Sequence, residues 1–551
     1  MRKIFLKLYS LLGFVSLIFF ASFLVADEKT DKVDAIFAKW DTTTTPGAAL
    51  AIIQDGKIIY ERGYGMAKIE DGIVMTPQKL FNIASVSKQF TAACLGILIQ
   101  QGRVNLDDDI RTFFPEMPQY DRPILVKHLV YHTSGLRDYS TLLSLAGFRS
   151  NSDCPTVDET LRIIFSQKRL NNLPGEVYSY TNTGYFLIGR IVEKVSGQSL
   201  NIFAQEHLFK PLGLSHTFFR DDHTQIVRNL ATGYRPSDKG YKICVSHWDL
   251  TGATNLFTSI EDLSMWNQAF YSNELGQDLM DLLQTTGELN SGRKIGYAFG
   301  LEIGAYKGLK TVRHDGSHVG YRSGFVRFPE QRFSVICLTN LSTQDPTSLC
   351  NKVADVYLAD LMVETKKDET GALAKEEIEE KVGNYQDQRD RRWISILKKE
   401  DSLELTINGT KLPLASTRKK VFKILNIPDD VSIEFLTVGN ENTSEVLLQA
   451  PDVTRTYTRV ASIAPLSQEQ LAEYTGEYVS EELFNTPHRC VIEKDHLILT
   501  SRVGQSDPLM SMAKDEFALG ESGIEFVRQG GKIIGFRLNC RRAISIEFVK
   551  R

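Results

Sequence analysis

The chain has 551 residues, too many for one ordinary hydrophobic core, which sets an expectation of about three domains. Hydrophobic residues make up 42% and charged residues 24%, ordinary values for a globular protein. The formal net charge is −4 and no basic block stands out, so nucleic-acid binding has no support.

In chain order, Arg2, Lys3 and Lys7 precede an uncharged stretch from Leu8 to Ala26, the pattern of an export signal. Cleavage after Ala26 would leave Leu24 where a signal peptidase prefers a small residue, so an uncleaved membrane anchor is the alternative. No cysteine follows the apolar run, which argues against a lipoprotein. Either outcome predicts a periplasmic or extracellular protein. Residues 47–53 and 57–64 read as strands joined by an Asp55-Gly56 hairpin turn. Phe90, Ala93, Cys94, Ile97 and Leu98 recur at helical spacing and predict a buried helix from Gln89 to Gln101. Residues 319–328 and 333–340 form a second strand pair, and a helix over 344–363 closes the unit. Strands from both ends of residues 27–363 must then share one sheet, with helices packed on it.

Residues 364–376 are polar, lack periodicity and read as a linker. Beyond them lies an internal repeat. Ile378–Tyr385 matches Leu471–Tyr478 at an offset of 93, Asp401–Thr406 matches Asp495–Thr500 at 94, and Pro413-Leu414 matches Pro508-Leu509 at 95. Each copy, over 377–461 and 466–551, holds short alternating strands that would close as a small antiparallel barrel. The seven cysteines show no Cys-x-x-Cys spacing, and the histidines show no metal spacing. Cys490 and Cys540 fall in one domain and are a candidate disulfide pair.

Three motifs carry chemistry. Ser85-Val86-Ser87-Lys88 places a serine at the start of the predicted helix and a lysine one turn on, along the same face. Tyr180-Thr181-Asn182 and His314-Asp315-Gly316 complete a nucleophile, a proton mover and a basic residue before glycine. The Ser-x-x-Lys spacing also occurs at Ser395/Lys398, Ser416/Lys419 and Ser511/Lys514. The first lies in an alternating strand, where residues three apart face opposite ways and cannot cooperate. A serine hydroxyl needs a base beside it. Lys88 serves only if burial or a nearby cation lowers its pKa.

These motifs resemble the serine β-lactamase and penicillin-binding protein superfamily, in its class C-like branch. The supporting stretches are Phe81–Lys88, His132–Leu136, Pro174–Tyr185, Gly252–Leu256 with Asp262-Leu263, and His314–Gly316 with Gly320. The resemblance covers about residues 30 to 363, and a catalytic domain followed by two β modules is similar to the three-domain D-aminopeptidases. It implies an α+β fold: an antiparallel sheet flanked by helices, a helical subdomain, and two small antiparallel β-barrel-like domains. It implies catalysis by Ser85 with Lys88 and Tyr180 as a coupled acid–base pair, and an oxyanion hole from the backbone N–H groups of Ser85 and Ser317. Asn182 would bind Lys88 and a substrate amide, and Gly316 would admit substrate against a strand. No metal or organic cofactor is implied.

His314 departs from the lysine found in many relatives. A histidine is mostly neutral at pH 7, so it would need a proton to hold a substrate carboxylate. His132 is expected to shape a loop beneath the site. The acidic turn Gly504–Pro508 is expected to reach the cleft, with Asp507 selecting substrates that carry a free amine. The expected activity is hydrolysis of amides or peptides containing D-amino acids through an acyl-Ser85 intermediate, as a D-aminopeptidase or D,D-carboxypeptidase. The alternatives are an esterase or weak β-lactamase, or a penicillin-recognising sensor acylated without turnover. Expected partners are small peptide, amide or ester substrates, peptidoglycan fragments among them.

Overall fold

The computed structural model describes the chain from residue 28 onward, except residues 150, 364–374, 408–409, 419, 426–430, 438–443, 451–452, 462–464 and 502–505. The N-terminal apolar segment and most of the linker lie outside the described residues. Among the described residues, no helix is long and apolar enough to cross a membrane.

Six antiparallel strands form the central sheet: β1 (Ala48–Gln54), β2 (Lys57–Tyr64), β3 (Glu302–Tyr306), β4 (Leu309–His318), β5 (Tyr321–Phe328) and β6 (Phe333–Thr339). Their order is β3-β4-β5-β6-β1-β2, so β1 pairs with β6 and the two ends of the segment meet in the middle. Both central strands are buried on both faces, and period-2 alternation divides their side chains. Ala49, Ala51 and Ile53 join the larger core, which holds the helix Lys88–Gln100. Ala48, Leu50 and Ile52 join the opposite core with Leu349, Cys350 and Val353 of the helix Pro346–Leu358. The Asp55-Gly56 turn has both residues at positive φ (52° and 76°), which suits a tight hairpin matched to strand twist.

Two closed eight-stranded antiparallel barrels follow, each with its strands in sequence order, running from Gly383 to Val460 and from Gly476 to Lys550. The repeat is visible atom by atom. Tyr385 donates its hydroxyl hydrogen to Lys381 O at 2.8 Å, and Tyr478, 93 residues on, donates to Tyr474 O at 2.7 Å. Short helices enter both barrels at the same offset, Lys375–Lys381 and Gln468–Ala472. Cys490 and Cys540 are free thiols, on strands that are not neighbours. The candidate disulfide is therefore not formed.

The second barrel packs on the catalytic domain. Its Leu471, Tyr478, Phe526 and Phe548 are continuous with the larger core. Arg137 reaches into it, fully buried, with Nη1 2.6 Å from Glu482 Oε1 and further hydrogen bonds to Ile544 O and Ser545 O. The first barrel meets the second through Trp393 against Met512 and Ala518, and through the Arg391–Glu516 ion pair.

Candidate active site

Ser85 lies in a 3₁₀ turn, Ala84–Ser87, that runs directly into the helix Lys88–Gln100. Ala84, just before it, is held at φ 50°, a left-handed conformation a non-glycine residue adopts at a cost. Buried polar groups hold it there. Asn82 Oδ1 accepts from Ala84 N at 2.8 Å, and Asn255 accepts from Asn82 Nδ2 at 3.0 Å. Ser87 donates its hydroxyl to Ala84 O. The turn aims Ser85 away from the core while Lys88 enters it.

Lys88 is wholly buried, with Nζ 3.0 Å from Ser85 Oγ, 2.9 Å from Asn182 Oδ1 and 2.9 Å from Ala253 O. Burial first, and the Arg542 cation second, push its pKa well below that of a free lysine; Asp138 and Asp315 oppose them without reversing the direction. The Tyr180 ring lies 5.0 Å from Lys88 Nζ. Burial raises the Tyr180 pKa, and its hydrogen bond with Ser85 and the Arg542 charge only partly offset the rise, so the phenol keeps its proton. Asn182 opens the helix Asn182–Ser196 behind the Thr181 N-cap, and its backbone N–H donates to Asp138 Oδ2 at 2.7 Å.

Strand β4 forms the other wall. Its neighbour β3 pairs only with Leu309–Arg313, which leaves His314–His318 with an open side. The two-residue Val319-Gly320 hairpin makes His318 and Tyr321 its closing pair. Hydrogen-bonded and non-hydrogen-bonded pairs alternate in an antiparallel ladder, so Ser317 turns its N–H away from β5 and into the open side. Gly316 packs tightly against the turn that carries Ser85. A Cβ there would meet Ile83 O at 2.3 Å and Ser323 Oγ at 2.2 Å, so glycine lets β4 seat against the Ala84–Ser87 turn.

His314 reaches the site but is only 2% exposed. Its Nδ1 lies 2.6 Å from Asp315 O, a carbonyl that must accept, so Nε2 takes the hydroxyl hydrogen of Tyr297 at 3.0 Å. Burial pushes its pKa down to about 4, with Lys88 adding to the fall and Asp315 opposing it. The expectation of a histidine that gains a proton near neutrality is thus overturned, because the residue is buried and both ring nitrogens are engaged. His132 sits at φ 54°, 4.2 Å from the Tyr180 ring and 4.6 Å from Tyr297, and its Nδ1 accepts from Thr181 N at 3.3 Å.

These buried histidines give a signed pH prediction. His314 and His128 both have a folded pKa of about 4, against an unfolded value of about 6.5. A depressed folded pKa means the stabilisation is fully present above pH 6.5 and is lost as pH falls toward 4. His128 contributes on the order of 3 kcal/mol across that window, and His314 adds to it in the same direction. Thermal melts should show Tm falling steeply between pH 6.5 and 4, less so in His314→Gln. A flat profile would contradict buried neutral imidazoles.

Sequence reading missed three participants. Tyr297 belongs to a segment whose Gly300 (φ 72°) lies so close beneath the helix Lys88–Gln100 that a Cβ would meet Gln89 N at 2.4 Å. Asp138 follows the His132–Leu136 signature by two residues, close enough to have been suspected. Arg542 had no signal, because it lies 360 residues beyond Asn182. It stands on the turn between the last two strands of the second barrel, with Cζ 5.1 Å from the Tyr180 ring centroid and Nη1 3.7 Å from Asp138 Oδ2. Its carbonyl accepts from Asp138 N at 3.0 Å. The second barrel thus does reach the site, but through Arg542. Asp507 lies on the strand Ser506–Ala513, opposite Leu499, and its side chain and the loop before it lie outside the described residues.

Such a sheet, with a serine-lysine turn, a tyrosine and a partly open strand converging at one edge, is the architecture of β-lactamase-like serine hydrolases. The family model described as Beta-lactamase matches residues 33–357, and the chain belongs to that family. It is 24% identical over 522 residues to a D-aminopeptidase of Gluconobacter oxydans, covering 90% of this chain and 94% of that one. Among solved structures, an octameric penicillin-binding protein homologue from Pyrococcus abyssi matches with TM-score 0.56 and 23% identity over 78% of this chain and 99% of its own. D-amino acid amidase from Ochrobactrum anthropi SV3 matches with TM-score 0.51 and 22% identity over 60% of this chain and 98% of its own.

Proposed function

We propose that this protein is an exported serine hydrolase that transfers the acyl group of a D-amino-acid amide or peptide to Ser85 and then to water. The carrying observation is the hydrogen-bond set of Lys88. A neutral lysine has two N–H hydrogens and one lone pair. Asn182 Oδ1 and Ala253 O take the hydrogens, which leaves the lone pair facing Ser85 Oγ at 3.0 Å. Lys88 is then the base that removes the serine proton as Oγ attacks the acyl carbon. Tyr180, still protonated, delivers its hydrogen to the leaving amine and is reprotonated by Lys88, which gives up the proton it took from Ser85 and is neutral again for deacylation. The N–H groups of Ser85 and Ser317 receive the oxyanion. Water repeats the attack on the acyl-Ser85 ester with Lys88 again as base.

Arg542 supports the carboxypeptidase form of this reading over the aminopeptidase form. A guanidinium at the cleft favours a substrate carboxylate and repels an ammonium. The similarity to a D-aminopeptidase along nearly the whole chain supports D-configured substrates. Arg542→Ala should raise KM for D-Ala-D-Ala peptides by about tenfold or more, the worth of a charge-assisted hydrogen bond. It should change a neutral nitrophenyl ester by less than about threefold on the same scale. The acid limb of its pH–rate profile should also move to higher pH, since Arg542 helps depress Lys88. Equal losses on both substrates, or faster turnover of D-aminoacyl amides than of D,D-peptides by the unaltered enzyme, would refute the carboxylate role.

A further inference from the structure

Apart from the serine site the fold gathers three donors from distant parts of the chain. Cys154 precedes the helix Val157–Phe165, His223 lies on the loop after the short strand Phe218–Phe219, and Asp249 leads into Gly252 and Ala253. Cys154 Sγ is 3.8 Å from His223 Nδ1 and 3.5 Å from Asp249 Oδ2, and His223 Nδ1 is 2.8 Å from Asp249 Oδ2. Sequence separations of 69 and 26 residues hide the cluster from any reading of motif spacing.

A cysteine, a histidine and an aspartate suggest a second nucleophilic triad, but the geometry is wrong for one. In a triad the carboxylate holds one imidazole nitrogen while the other faces the nucleophile. Here Nδ1 faces both the thiol and the carboxylate, and the carboxylate touches the thiol as well. All three donor atoms converge on one point, which is the geometry of chelation. We propose that Cys154, His223 and Asp249 bind a zinc ion, with water in the fourth position.

The donor spacing fits. Tetrahedral zinc with bond lengths of about 2.0–2.3 Å sets its ligand atoms about 3.3–3.6 Å apart. The nitrogen–oxygen gap need only widen by about half an ångström, and the sulfur–nitrogen gap need only close by a few tenths, to reach those values. Asp249 Oδ1 is buried and has no hydrogen-bond partner among the described residues, a debt that an ion beside the carboxylate would relieve. A second imidazole, His247, packs edge-on against His223 at 5.3 Å between centroids. Thiolate with imidazole selects zinc over magnesium or calcium. Binding converts the Cys154 thiol to thiolate and releases its proton to solvent.

The ion would brace the wall of the cleft. Four residues after Asp249, Ala253 O accepts from Lys88 Nζ, and Gly252 O accepts from Thr91 Oγ1 at 2.8 Å. Three residues before Asp249, Ser246 Oγ lies 2.9 Å from His318 Nε2, next to Ser317. Pinning Asp249 therefore fixes the segment that spans from the lysine to the open strand.

The test uses the full chain, stripped with a chelator and titrated with zinc against a chromophoric competitor, then with cobalt as a spectroscopic probe. The proposal expects one tight equivalent of zinc, a rise in Tm, and a thiolate-to-cobalt charge-transfer band in the near ultraviolet. Cys154→Ser and Asp249→Asn should lose the band and the Tm rise, while Cys244→Ser keeps both. A cooperative thermal melt and an unchanged far-ultraviolet circular dichroism spectrum of each metal-free variant show that they are folded. Absence of the band in the unaltered protein would overturn the site, as would a band or a tight equivalent that survives Cys154→Ser.

Discussion

Lys88→Met is expected to lower kcat by about 10²–10⁴-fold, the range for a positioned acid–base group. The exchange keeps the bulk of a wholly buried side chain and removes only the amine, so protein stability should change less than rate. Tyr180→Phe should fall in the same range. The double variant should be little slower than the worse single one, because residues that move one proton act as a unit. The unaltered enzyme should lose kcat/KM as pH drops through the depressed Lys88 pKa, since only the neutral amine can take the serine proton. Lys88→Met should lose that acid limb. Fully multiplicative single effects, or an acid limb that survives in Lys88→Met, would show that another group is the base.

The second large effect concerns stability. Arg137 is fully buried against Glu482, which is only 4% exposed, across the contact between catalytic domain and second barrel. Removing one partner of a buried ion pair leaves an uncompensated charge, at a cost of about 3–5 kcal/mol. Arg137→Ala should therefore lower stability by that amount in urea denaturation. It should also expose the barrel contact to proteolysis and shift the acid limb of the rate profile upward as Arg542 leaves Lys88. Arg137→Met with Glu482→Leu should recover much of the loss, because neither charge is then stranded. A change below about 1 kcal/mol, the scale of an exposed pair, would mean that the pair is not buried in solution.

What was legible in the sequence follows from the range of the interactions that fix each feature. The helix after Ser85, the Asp55-Gly56 hairpin and the barrel repeat rest on neighbours within a few residues or on repetition itself, and patterning exposes both. The serine, lysine, tyrosine and asparagine were readable because their motifs are local: one turn separates Ser85 from Lys88, and Tyr180 and Asn182 flank the Thr181 cap of a helix. The packing of Gly316 on the turn before Ser85 was not legible, because a glycine's missing Cβ says that something is close without saying on which side. The titration of His314 was misread because burial and the Tyr297 hydroxyl come from other elements. Arg542 was invisible for the strongest reason: the barrel order along the chain places the first repeat next to the catalytic domain, whereas it is the second that docks there. Asp507 was chosen from a turn-rich acidic composition, and its side chain lies outside the described residues.

The central claim is that Ser85 alone forms a covalent acyl intermediate. Intact-protein mass spectrometry after rapid mixing with a fluorescent penicillin or an activated D-aminoacyl ester tests it most directly, with the adduct located by peptide mapping. One adduct per chain, mapped to Ser85 and absent in Ser85→Ala, is the predicted result. An adduct that persists in Ser85→Ala, or that maps to Ser395 or Ser511, would contradict the account.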